Sequence, residues 1–120
     1  MSEIPVPLIN YIHLIKERKS PYYDIVSHLM REMEVRYTTK GQFSEAVYTV
    51  NPRVLQEQIE KQMRDERLTT VNVCRTILAL LYGAQLDEEK DFFVTTTSSG
   101  RRNYHIKVTN KTFNSMSKLL

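Results

Sequence analysis

The residues best equipped for chemistry lie near the end of the chain, in DFFVTTTSSGRRNYHIKVTN, residues 91–110. Arg101 and Arg102 stand side by side directly after Ser98-Ser99-Gly100, a bend between two β-prone runs. Two guanidinium forks at a hairpin tip form charge-assisted, bidentate hydrogen bonds with phosphate or carboxylate oxygens. Lys107, Lys111 and Lys118 follow, so residues 91–120 hold five cations against Asp91 alone, and the chain's net charge of +3 collects there. Such a patch attracts polyanions or acidic protein surfaces; in its plainer role it is a solvated basic tail.

Other candidate chemistry is thinner. His13, His28 and His105 fall on three different expected elements, with no paired spacing of the kind that metal ligands need. Cys74 is the only cysteine, which excludes an intrachain disulfide, and its place on an apolar arc predicts a buried, inert thiol. Asp87-Glu88-Glu89-Lys90 has the carboxylates of a metal-dependent nuclease but no second acidic cluster to share an ion, so it reads as a polar connector. The three glycines, at 41, 83 and 100, are too scattered for a phosphate-cradling loop. No catalytic site, metal or cofactor is expected.

The elements that must carry these groups follow from hydrophobic spacing. After Pro5 and Pro7, Leu8, Tyr11, Ile12 and Ile15 recur at helical intervals. Ser20 and Pro21 give a cap-plus-proline start to a second helix, whose stripe runs through Tyr22, Ile25, Val26, Leu29, Met30 and Met33. That helix should stop at Thr38-Thr39, with a turn at Gly41. QFSEAVYTV reads as a strand with Ala46, Tyr48 and Val50 on one face. Asn51-Pro52 starts a third helix over 52–66, with a narrow stripe from Leu55 and Ile59 and with Glu57, Glu60, Asp65 and Glu66 among its charges. A fourth spans 70–83, with an apolar arc of Val71, Val73, Cys74, Ile77, Leu78, Leu80 and Leu81. The remaining strip is Asn72, Arg75, Thr76, Ala79 and Tyr82. The hairpin comes next, and KTFNSMSKLL adds a short half-helical tail.

The expected fold is therefore α+β: a bundle of about four helices with a small antiparallel sheet ending in a β-hairpin. The whole chain, 1–120, forms one domain, with an accessory helix at 1–19, a core at 20–110 and a tail at 111–120. Two helices joined by a tight turn and followed by a basic hairpin resemble a winged helix-turn-helix domain, the early strand completing the three-stranded sheet. The resemblance covers roughly residues 21–109 and lies in the order of elements.

In that family the second helix of the pair enters the major groove of double-stranded DNA and the hairpin forms a wing. The resemblance thus places Thr69, Thr70, Asn72, Arg75 and Thr76 at base edges, Asn and Arg being suited to adenine and guanine. Arg101, Arg102, Lys107 and Lys111 would neutralise phosphates. The implied role is a non-enzymatic DNA-binding regulator of transcription or replication.

Against it, Arg75 is the only cation between Arg67 and Lys90, and the helix before it is balanced in charge. The alternative is an adaptor or inhibitor whose basic hairpin docks on an acidic protein partner. Tyr22 and Tyr23 are consecutive and Tyr82 falls on the polar strip, so all three are candidate contacts with a partner or with a second copy in a homodimer. MSEIPVPLIN lacks the basic start and apolar run of a secretory signal, and VNVCRTILALLYGA is too short to span a bilayer, so a cytoplasmic location is expected.

Overall fold

A computed structural model of the chain describes residues 4–39, 42–43, 46–63 and 68–120. The turn expected at Gly41 and the carboxylates Asp65 and Glu66 lie outside them. Five helices and a small antiparallel sheet make up an α+β architecture.

Helix α1 (Val6–Lys16) and helix α2 (Pro21–Tyr37) are joined through one side chain. The Ser20 hydroxyl donates to the Leu14 carbonyl at 2.6 Å, closing α1, and accepts the Tyr23 N–H at 3.1 Å, capping α2. A two-residue ladder, β1 (Thr38–Thr39) with β2 (Gln42–Phe43), follows where one long strand was expected to begin. Strand β3 (Ala46–Val50) alternates as the sequence suggests, with Val50 buried and Val47 and Thr49 exposed.

Asn51 then caps α3 (Pro52–Met63), its Oδ1 accepting the N–H groups of Arg53 and Val54 at 3.0 and 3.2 Å. Thr69 caps α4 (Thr70–Gly83) in the same manner through the Asn72 N–H. Strands β4 (Phe92–Thr96) and β5 (Arg102–Val108) form the hairpin, and β5 lies in the middle of the sheet order β3-β5-β4.

The tail is a full helix, α5 (Asn110–Leu119), which raises the expected four helices to five. Thr109 and Thr112 form a reciprocal capping box at its start. The Thr112 hydroxyl also donates to the Lys107 carbonyl at 2.6 Å, and Met116 is fully buried. Local hydrogen bonding and one apolar anchor together turn a half-polar tail into a docked element.

Helix α4 runs through the centre of the molecule and meets α1, α2, α3 and α5. Val73, Ile77, Leu80 and Leu81 are buried as the apolar pattern indicates, but the buried face reaches further round the helix than that pattern. Thr76 and Ala79, expected on the polar strip, are completely buried, while Val71, expected in the core, is 57% exposed. Helices α1 and α5 both pack on α4. The Tyr11 hydroxyl of α1 donates to Asn72 Oδ1 at 2.8 Å, and a Cβ on Gly83 would sit 3.0 Å from Leu119 of α5 and 3.3 Å from Ile12 of α1. Thr76 tolerates this burial because its hydroxyl donates to the Asn72 carbonyl at 2.7 Å. Among the described residues no helix is long and apolar enough to cross a membrane.

Candidate functional site

The hairpin bend is tightly built. Gly100 adopts a left-handed φ of 82°, where an L side chain is strained. Its N–H donates to the Thr97 carbonyl at 2.9 Å, and the Thr97 N–H donates to the Arg101 carbonyl at 2.8 Å. The Thr97 hydroxyl accepts the Arg101 N–H at 3.1 Å. Arg101 and Arg102 therefore leave a fixed turn rather than a floppy loop.

Register then decides what stands opposite them. Val50 pairs with Tyr104, so the chain leaving β3 passes beside the hairpin tip and delivers Asn51, Pro52 and Arg53 there. Together with the exposed face of α4, these segments enclose an open groove of about 600 Å³. One wall carries Gly100, Arg101 and Arg102; another carries the start of α3 with Arg53. The α4 side contributes Thr70 and Arg75, with Val71, Cys74 and Leu78 making it partly apolar.

The groove is cationic for a simple reason: among the described residues that line it there are four arginines and no carboxylate. Arg53 is weakly neutralised by Glu57 at 3.6 Å, both side chains being more than half exposed. Arg75, Arg101 and Arg102 form no ion pair among the described residues. The N-termini of α3 and α4 also open onto it, adding the positive ends of two helix dipoles. An oxyanion entering this space relieves mutual repulsion among the arginines as well as gaining hydrogen bonds.

Beneath the groove lies Tyr104, wholly buried, its hydroxyl beside Cys74 and Arg102 but without a well-formed hydrogen bond among the described residues. Burial first, and then the neighbouring Cys74, pushes its phenol from 10.0 up to about 12, while Arg102 pulls the other way. Since the folded pKa is the higher one, the unfolded chain holds fewer protons in the window between the two values. The stabilisation is complete below the lower value and disappears as pH rises through the window. Unfolding free energies measured near pH 9 and near pH 11 should differ by about 1–2 kcal/mol more in the wild type than in Tyr104→Phe.

Of the residues singled out from sequence, Thr70, Arg75, Arg101 and Arg102 meet at the groove. Thr69 is exposed at the start of α4, its hydroxyl committed to the cap. Asn72 is half-buried and turned to Tyr11, and Thr76 is withdrawn into the core, which removes it from any surface set. Lys107 lies at the opposite side of the sheet, beside Ala46, Val47 and Thr109, because strand alternation sends it away from Arg102. Lys111 sits 3.7 Å from the buried carboxylate of Asp91. The three tyrosines are half-buried rather than projecting. Tyr22 packs edge-on against Tyr11 at 5.7 Å and Tyr82 edge-on against Phe92 at 5.8 Å, while the Tyr23 N–H serves the Ser20 cap.

Arg53 and Val71 were not anticipated at the groove, and Cys74, expected to be buried, is half-exposed within it. The signal for Arg53 was present: a strand pairing antiparallel with β5 must end beside the bend, and Arg53 follows three residues after that strand. The exposure of Val71 has no such signal, since it depends on where α1 docks.

His105 is fixed by Thr49 at 2.9 Å and Thr95 at 2.7 Å and stacks on Phe93 at 4.5 Å. Among the described residues, no three or more His, Cys, Asp or Glu side chains gather where they could hold a metal ion. Asp87-Glu88-Glu89-Lys90 forms a tight connector in which the Asp87 N–H donates to Asp91 Oδ2 at 2.9 Å. Comparisons with protein-family models, with curated proteins and with solved structures find no match to this chain.

Proposed function

We propose that the protein is a non-enzymatic, winged-helix-like regulator that binds double-stranded DNA through the arginine-lined groove. The observation that carries this reading is the convergence of Arg53, Arg75, Arg101 and Arg102 on one groove with no carboxylate among the described residues of its lining. The arrangement also suits a duplex. A helix seated in one DNA groove and a hairpin reaching toward the next must straddle a sugar–phosphate strand, and the cleft between α4 and the β4–β5 wing is where that strand would run. Phosphate contacts from Arg53, Arg101 and Arg102 then set orientation, while α4, with Arg75, faces the base edges.

A second reading is favoured by the apolar portion of the groove. Val71, Leu78 and Pro52 between arginines would also accept an acidic segment of a protein partner with apolar side chains. The experiment that separates them is binding to random-sequence duplex DNA at two salt concentrations. The DNA reading requires measurable affinity at low salt that falls steeply as salt rises. No binding at low salt overturns it in favour of the protein partner.

A further inference from the structure

Resting on the duplex-binding reading above, we propose that Val71 and Arg75 set the base preference of the groove, selecting a thymine next to a guanine. The first two turns of α4 present several side chains able to hydrogen-bond with a base, but most are already committed inside the protein. The Thr69 hydroxyl accepts the Asn72 N–H at 3.2 Å, and the Thr70 hydroxyl donates to Gln56 Oε1. Asn72 Oδ1 accepts the Tyr11 hydroxyl at 2.8 Å, which removes the acceptor half of a bidentate contact to adenine. Thr76 is buried and bonded to the Asn72 carbonyl.

Two side chains on that face remain uncommitted. Arg75 is exposed without an ion-pair partner among the described residues, and Val71, one helical turn earlier, keeps 57% of its surface in contact with solvent. Both line the groove. A guanidinium fork matches O6 and N7 of guanine, and an isopropyl group matches the C5-methyl of thymine, the only apolar feature of the major-groove edge. Residues four apart on one helix face lie about 6 Å from each other, which spans adjacent base pairs rather than distant ones. An exposed valine between arginines thus acquires a defined counterpart.

The test begins with selection of preferred sequences from a random duplex library by the full chain. The selected site is then remade with uracil in place of thymine, which deletes one methyl group from the DNA and leaves the protein untouched. Binding followed by fluorescence anisotropy should weaken about fourfold for the wild type, the value expected for exposing one methyl group. Val71→Ala should bind the thymine and uracil duplexes equally, and Arg75→Ala should lose the preference for guanine. Because Val71 and Arg75 are both exposed, neither variant should alter the thermal melt. Equal wild-type affinity for the two duplexes, or a selected site without adjacent thymine and guanine, overturns this assignment while duplex binding stands. Absence of any duplex binding at low salt removes the underlying reading as well.

Discussion

Replacing Arg101 and Arg102 together by alanine is expected to weaken duplex binding by roughly 30-fold near physiological salt, the counterion-release value for two lost phosphate contacts. The slope of log affinity against log salt should become shallower by about 2 in the same variant. Both side chains are exposed, and the turn that presents them is held by backbone groups and by Thr97 and Gly100, so its geometry survives the change. Unchanged thermal stability should accompany the loss.

Lys107→Ala supplies the internal comparison. It removes one cation from the same segment but from the far side of the sheet, so affinity should fall far less. If the two arginines and Lys107 prove interchangeable, the hairpin contributes only diffuse charge, and the groove is not where the polyanion sits.

Phe92→Ala carries the largest expected cost to the fold, about 3–5 kcal/mol. Phe92 is fully buried at the root of the hairpin, opposite Ile106 in register and edge-on to Tyr82. Its carbonyl also accepts the Glu89 N–H at 2.6 Å, which ties the connector after α4 to the sheet. A domain of this size has roughly 5–15 kcal/mol in hand, so the loss removes a large part of the margin. Denaturant unfolding measures it directly, and DNA affinity above the new transition should collapse with the fold. A change below about 1 kcal/mol would mean that the cavity closes by local repacking and that the arginines are positioned by something other than this root.

Much of the local structure was legible in the residues. Ser20 and Asn51 announce helix starts because a short side-chain oxygen satisfies backbone N–H groups wherever it stands, independent of tertiary context. The stripe of α2 is equally plain, since one face packs and the other is charged. The full extent of the buried face of α4 was not legible. Thr76 and Ala79 fall on the expected polar strip, yet both are small enough to be covered completely. A helix covered on most sides has no single polar face for the period to locate, and Val71 becomes exposed by default.

Charge shows the same division between local and long-range information. Counting by segment assigns the basic excess to residues 91–120, but Lys111 lies against Asp91 and Lys107 points elsewhere. The cationic surface is assembled instead from Arg101 and Arg102 together with Arg53 and Arg75, which come from residues 51–90, where six cations stand against seven carboxylates. Strand pairing brings them together, and linear bookkeeping has no access to it.

The histidine at the middle of the sheet has a mechanical consequence. Thr49 of β3 and Thr95 of β4 each hold one ring nitrogen of His105 on β5, so a transverse tie bar runs across all three strands. Shearing the hairpin past β3 would have to snap the Thr49 end, and sliding β4 along β5 would have to snap the Thr95 end. The wall that bears Arg101 and Arg102 is thereby bolted to the wall that bears Arg53, and the jaws of the cleft hold a fixed gauge instead of opening like a hinge.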